Sequence, residues 1–325
     1  MKHPLTLLAL VLLSATALAR EPQRFTFGAF GDMPYLPGEE VTTAAIIGEM
    51  NTHELAFVVH VGDIKSGGTK CDDAIYTDRR ALFSRSRNPI IVVPGDNDWT
   101  DCHRHDAGGY DPLERLAHFR EIFDAGSQSL GARMIALARQ SDDPKFAARF
   151  GEYRENVRWA IGDVLFIGLN VPGSNNNLGR TPEADAEYRH RSDAVNEWLD
   201  DAFVVAESGD YRAVVIFMQA NPGLDGKKRA PGKPDGYDEL RRVLVTHAGW
   251  FKRPVLFVHG DTHRFRVDRP FVDARTGSVV SNLLRAEVYG SPKLGWVEVE
   301  VDTARPDLFA IRGLPQSPRP EQPRH

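Results

Sequence analysis

The stretch "PIIVVPGDNDWTDCH", residues 89–103, runs from an unbroken apolar segment into Gly95 and three side chains able to bind metals or protons, Asp96, Asn97 and Asp98. The chain repeats this ending. "FTFGAFGD" (25–32) closes on Asp32, "FVVHVGD" (57–63) on Asp63, and "LFVHGDTH" (256–263) on Asp261 and His263. Between apolar strands placed at 25–31, 56–62 and 89–94 lie helix-like stretches at 39–54 and 72–87. Near-continuous apolar strands separated by helices are the pattern of parallel β-α-β units, buried on both faces. The expected class is therefore α/β. In open α/β sheets functional groups gather beyond the carboxyl ends of the strands, and these acidic groups all fall there. A single Gly-Asp carries no weight, being ordinary turn chemistry. Its recurrence at apolar strand ends does.

The rest of the chain reads as one domain over residues 20–312. Residues 105–150 are polar and rich in Gly, Arg and Asp, the composition of an insert or lid, with one clear helix in "LERLAHFREIF" (113–123). "VRWAIGDVLFIGLN" (157–170) predicts a hairpin turning at Gly162-Asp163. Residues 183–205 have helical spacing with Val195, Trp198 and Leu199 inward; 212–222 is a strand running into a loop, and 236–250 a helix. Residues 265–312 read as short strands, giving a β-α-β first half and a second half of more antiparallel character, and 313–325 reads as a Pro-rich disordered tail.

With 42% hydrophobic and 26% charged residues, the composition is that of an ordinary globular protein. A net charge of −5 and a pI near 6.1 give no support for a nucleic-acid partner. Residues 1–19 join Lys2, an apolar core and Ala17-Leu18-Ala19, the pattern of a cleaved secretory signal, too short to span a bilayer comfortably. No later segment is apolar and long enough for a stable membrane span. A periplasmic or secreted location follows, and with it an oxidising environment for Cys71 and Cys102. Both cysteines follow closely on strand ends, those of Asp63 and Asp96. If those strands are neighbours, a Cys71–Cys102 disulfide is geometrically reasonable; two buried free thiols are the alternative.

The order Gly-Asp, Gly-Asp, Gly-Asp-Asn-Asp, Gly-x-x-His resembles the calcineurin-like metallophosphoesterase superfamily, over residues 25–300. The resemblance implies a four-layer α-β-β-α sandwich in which two metals, bridged by an aspartate and a hydroxide, hydrolyse phosphate esters. It places Asp32 in the first motif, with Pro34 where the family carries a histidine, and Asp63 in the metal-bridging position. Asp96 stands at a metal-binding asparagine, Asn97 at the histidine that steadies the transition state, and Asp98 at the acidic residue closing that motif. Gln219 falls at a histidine ligand, and Asp261 and His263 at the two histidines of the last motif. Asn170, ending "LFIGLN", resembles a frequent polar residue of the family and is expected at the substrate.

The expected metal set is thus Asp32, Asp63, Asp96, Gln219, Asp261 and His263, and the expected catalytic group Asn97, Asp98 and His103. Because Asn97 brings no proton donor, His103 or His105 is a stand-in, against a plain surface role for both. Lys65 or Arg104 could contact the phosphate, against simple solvation. His60 and His259, inside strands, read as hydrogen-bond partners behind the site or as core histidines. Every replaced ligand position except Pro34 keeps an oxygen donor, which favours Mn, Mg or Fe over Zn, as one ion or two. The function expected is an exported metal-dependent phosphoesterase acting on a small phosphorylated substrate, a monoester or diester. The alternative is a non-catalytic exported binding or structural protein with a degenerate metal site. A protease or lipase finds no support, since neither Gly-x-Ser-x-Gly nor His-Glu-x-x-His occurs.

Overall fold

Successive side chains of a strand point to opposite faces, so a strand apolar at every position needs a partner on each side. The structure, a computed structural model, meets that demand with four layers. It describes residues 21, 23–225 and 232–316. The signal-like segment 1–19 and the tail beyond residue 316 lie outside the described residues.

In the first sheet β1 (Arg24–Phe30), β2 (Val58–His60) and β3 (Ile90–Val92) run parallel. The second sheet has the order β4 (Ala138–Arg139), β5 (Val157–Ile161), β6 (Val164–Gly168), β7 (Ala213–Phe217), β8 (Val255–His259), then β12 (Leu283–Glu287) and β9 (Arg266–Asp268). A separate ribbon pairs β10 (Val272–Asp273) with β11 (Ser278–Val279). The chain then returns to the first sheet, where β13 (Gly295–Asp302) lies antiparallel to β1 and β14 (Phe309–Pro315) antiparallel to β13.

Each sheet face has its own apolar filling. Between the sheets, Phe27, Val59, Val61 and Val93 meet Phe166, Val215, Phe217 and Val258. On the outer face of the first sheet, Phe30, Val58 and Val92 pack against α1 (Glu39–Met50), α2 (Asp73–Phe83) and α3 (Pro112–Phe123) through Ile46, Phe83 and Phe119. On the outer face of the second, Leu165, Val214 and Phe257 pack against α4 (Pro182–Ser208) and α5 (Asp238–Phe251) through Trp198, Phe203 and Leu244. The architecture is the α-β-β-α sandwich.

Three expectations change. Residues 105–150 are part of the sandwich rather than a lid: α3 buries Leu116, Phe119 and Phe123, Leu130 bridges Ile90, and β4 forms the edge of the second sheet. The second half is parallel at its centre, because β6, β7, β8 and β12 all run the same way. The first sheet takes in Gly313–Pro315, which pairs with β13, so the domain does not stop at residue 312. The predicted hairpin at Gly162-Asp163 is present as β5 and β6.

What this topology does for function is alignment. Phe30, His60 and Val92 are in register at the ends of β1, β2 and β3, and Phe217 lies beside both Gly168 and Val258. The loops that follow therefore open on one rim. Phe57 ties the two sheets together behind that rim, its ring centroid 5.0 Å from Phe27, 4.8 Å from Phe166 and 5.2 Å from Trp159. Phe57→Ala is expected to cost about 3–5 kcal/mol, as deletion of a fully buried ring does; chemical denaturation measures the loss.

Candidate metal centre

Asp32, Asp63, Asp261 and His263 sit at φ 52°, 59°, 76° and 59°. Non-glycine residues rarely enter this left-handed region, and each that does costs on the order of 1–3 kcal/mol unless its surroundings hold it there. Here neighbouring loops hold one another. The Asp32 N–H donates to Gly62 O at 3.0 Å, and the Asp261 N–H to both Asp32 carboxylate oxygens at 3.1 Å. The glycines that precede the aspartates leave room for them. A Cβ on Gly95 would stand 2.1 Å from Asp63 Oδ1, and one on Gly260 2.1 Å from Asp32 Oδ2. These two Gly-Asp turns thus yield space to the carboxylate of another strand.

The result is a crowded, dry cluster. Asp32, Asp63 and Asp96 are buried, and His263 Nε2 lies 3.5 Å from Asp32 Oδ1 while its Nδ1 bonds Ser291 O at 2.7 Å. Burial lifts the Asp63 carboxyl well above its ordinary range, and Asp96, Asp98 and Asp32 add repulsion. Burial, then Asp96, pushes Asp261 up to about 7. Burial also raises Asp32, against which His263 pulls. For His263 burial works against the charge, yet the bond to Asp32 and its negative charge prevail and raise the imidazole to about 9.

Asp98 plays a different part from the one expected. Its buried carboxylate accepts the N–H groups of Asp63 (2.9 Å), Ile64 (2.8 Å) and Gly95 (2.7 Å), so it locks two strand-end loops together and faces away from reacting groups. Asn97 donates through its side chain to Asp63 Oδ2 at 2.8 Å and through its N–H to Asp63 Oδ1 at 3.0 Å. Gln219 is turned the same way. The Gly173 N–H holds its Oε1 at 2.6 Å, leaving Nε2 to donate to Asp63 Oδ2 at 3.3 Å. In this arrangement Gln219 is a donor to the carboxylate rather than an oxygen ligand.

Other expected residues lie off the rim. Lys65 is fully buried, with Nζ bonded to Ser66 O at 3.2 Å and Thr69 O at 3.0 Å, so it offers no substrate contact. Asn170 is buried too, its amide on Glu155 at 2.8 Å. The exposed His103 is tied to Thr100 O at 2.7 Å and to Arg180, and His105 is exposed. His60 and His259 are core histidines; burial lowers both to about 3, and each has a ring nitrogen at a backbone carbonyl, Met33 O and Gly260 O. Arg104 is the cation that does reach the rim, paired with Asp101 at 2.7 Å and half-exposed beside Asn97.

Two groups escaped sequence reading. Tyr35, just past Pro34, donates its hydroxyl to Asp63 Oδ2 at 2.7 Å. Ser174 places Oγ 2.7 Å from Asp96 Oδ2 and 2.9 Å from Asp101 Oδ2. Ser174 opens a run of four left-handed residues, 174–177, with φ between 46° and 66°. Asparagine is the non-glycine residue that best tolerates this conformation, and "GSNNN" (173–177) was the available signal.

The strand-end loops of Asp63 and Asp96 are also joined covalently, by the Cys71–Cys102 disulfide with Cα atoms 5.8 Å apart. Among the described residues no three His, Cys, Asp or Glu side chains stand as a ready-made metal cage. The reason is local: each carboxylate is drawn to a protein donor, Asp63 to Tyr35 and Asn97, Asp96 to Ser174, Asp32 to the Asp261 N–H.

Neither a protein-family model nor a curated sequence matches the chain. Solved structures do. The chain is similar to a dimetal phosphatase from Danio rerio, with TM-score 0.54 and 14% identity over 90% of this chain and 96% of that one. It is likewise similar to PhoD, with TM-score 0.53 and 13% identity over 91% of this chain and 69% of that one. The chain has the calcineurin-like metallophosphoesterase fold. In this sandwich the disulfide ties the Asp63 and Asp96 loops and closes a loop of 31 residues. Replacing both cysteines with alanine is expected to cost about 3–4 kcal/mol in the chain-entropy account, read as a lower denaturation midpoint under non-reducing conditions.

Proposed function

We propose that this chain is an exported, metal-dependent phosphoesterase that hydrolyses a small phosphomonoester or phosphodiester. The observation that carries the reading is the convergence of Asp32, Asp63, Asp96, Asp261 and His263, from separate strand ends, on one rim. Buried carboxylates without matching cations are costly. Lys65, its ammonium held by two carbonyls, shares a single charge among Asp98, Asp63, Asp101 and Asp96. A divalent ion supplies the missing charge, and a donor set of carboxylates with one imidazole suits Mg, Mn or Fe. The residues that would hold it are Asp32, Asp63, Asp96, Asp261 and His263.

When bound, such an ion brings Lewis acidity and charge for the phosphoryl oxygens. The chain's own residues do the rest. Asp98 fixes the two loops from which Asp63 and Asp96 project, so both carboxylates arrive pre-positioned. Asn97, Tyr35 and Gln219 orient Asp63, and Ser174 orients Asp96. Arg104, with its planar fork half-exposed beside Asn97, offers the contact for phosphate oxygens that Lys65 cannot. Two structures of similar fold are those of a dimetal phosphatase and PhoD, which supports the reaction class. Export is supported by the signal-like residues 1–19 and by the disulfide. Among the described residues no helix is long and apolar enough to cross a membrane.

A second reading, an exported binding protein with a degenerate site, draws on Pro34, which brings no ligand where the family has a histidine. One experiment separates the two. Protein loaded with Mn(II) or Mg(II) is expected to hydrolyse p-nitrophenyl phosphate or its bis ester. EDTA should abolish the activity, and Asp96→Asn should lower kcat/KM at least about 100-fold, beyond the loss typical of outer hydrogen-bond partners. Metal retained without hydrolysis gives the second reading, and absence of both overturns the proposal.

A further inference from the structure

Resting on the proposed function above, we infer that Glu287 is a positioning residue of this site. It acts through Thr262 and Arg264, holding the turn that carries Asp261 and His263. Glu287 ends β12, fully buried, in register with His259 of β8 on one side and Arg266 of β9 on the other. Its Oε1 accepts from the Thr262 hydroxyl and, at 3.2 Å, from the Arg264 N–H. Those two residues flank His263, so one carboxylate oxygen grips the chain on both sides of the imidazole. Its Oε2 accepts from Arg266 Nε at 2.5 Å.

The grip answers a conformational need. Asp261 and His263 are both left-handed, at φ 76° and 59°, and such residues persist only where their surroundings over-determine them. Within the turn, the Thr262 N–H donates to Gly260 O at 3.0 Å. Ser291 O takes His263 Nδ1 at 2.7 Å, which orients the ring but not the backbone beneath it. Glu287 supplies the hold on that backbone, through charge-assisted bonds in a buried setting.

The same carboxylate reaches Asp261 by a second route. Arg266, which faces Glu287, also pairs with Asp225 at 2.6 Å. Asp225 ends the short loop from Asn221, whose side chain takes the Leu224 N–H at 3.0 Å. The Asn221 N–H in turn donates to Asp261 Oδ2 at 2.9 Å. Arg285 braces the arrangement, with Nε on Asp268 at 2.7 Å and Nη1 3.6 Å from Asp225. Glu287, Arg266 and Asp225 therefore alternate in charge behind the rim, and the two ends of this chain meet the same turn.

The test separates the grip from folding. Thr262 is exposed, so Thr262→Val removes the hydroxyl bond without touching the core. In Mn(II)-loaded protein it is expected to lower kcat for p-nitrophenyl phosphate about 10-fold or more, as loss of an outer hydrogen-bond partner does. KM and the denaturation midpoint should stay near those of the unmodified protein, and Thr262→Ser, which keeps the hydroxyl, should restore kcat. Glu287→Gln should lower kcat too, and the double variant no further than the worse single one, because both changes break one shared interaction. In metal-free protein, amide exchange over residues 261–266 should quicken about 10-fold in Thr262→Val and Glu287→Gln while that of β8 holds. Full kcat in Thr262→Val, a loss that Thr262→Ser does not restore, or unchanged exchange would overturn the inference and leave the proposed function standing. Additive losses in the double variant would overturn the part given to Glu287. Unmodified protein that takes up no manganese and hydrolyses nothing would overturn both.

Discussion

The structure depends on one constraint: buried carboxylates must find donors, and here they find them on the loops of neighbouring strands. Asp98 accepts three backbone N–H groups from the Asp63 and Gly95 turns, and Asp32 accepts the N–H of Asp261. These are charge-assisted bonds in a dry setting, stronger than neutral ones. They run across the rim and not along any one strand, so they stitch together loops far apart in sequence. The disulfide performs the same stitching between the loops after β2 and β3. Without such cross-links, four residues in the left-handed region would have every reason to relax.

The same logic governs the turn at 174–177. A run of left-handed residues costs about 1–2 kcal/mol for each, and it persists because its partners leave it no alternative. Buried Arg191 donates to Asn170 O, Asn176 Oδ1 and Asn176 O; the Tyr237 hydroxyl accepts from the Asn176 N–H and donates to Pro172 O. The gain for the site is placement. Gly173 comes close enough to anchor Gln219, and Ser174 comes onto Asp96. Strain at this turn is what sets the orientation of two rim side chains.

How much of this was legible in the sequence follows from the physics of each feature. The α/β class was, because apolar runs on β1, β2, β3, β7 and β8 require cover on both faces, and so was a shared rim, because a Gly-Asp follows β1, β2, β3 and β8; the four-layer sandwich came only with the family resemblance. The parallel course of β12 was not. "GSVVSNLLRAEVYG" alternates like a hairpin strand, and only the excursion through β9, β10 and β11 lets Leu283–Glu287 return alongside β8. At the site, positions could be read and directions could not. Asp98 and Asp96 differ by two residues, yet one faces backbone N–H groups and the other the rim. Lys65 follows Asp63 just as closely and is turned into its own loop. In such irregular turns, neighbouring side chains diverge in ways that neither strand nor helix periodicity describes. Tyr35 was hidden for a related reason: its partner, Asp63, lies 28 residues on and meets it only through the register of β1 with β2.

The departures from the family pattern make sense as a set. Taken singly, Asn97 for histidine or Gln219 for histidine looks like decay of a metal site. Taken together they are chemically matched, because both carry an NH2 group and both aim it at the same oxygen of Asp63. Random loss would scatter acceptors and apolar groups there, each leaving a buried carboxylate short of a partner at a cost of about 1–3 kcal/mol or more. Tyr35 completes the match from the far side, next to the proline that displaces the first-motif histidine. The buried Asp63 carboxylate is partnered by two amides and a phenol.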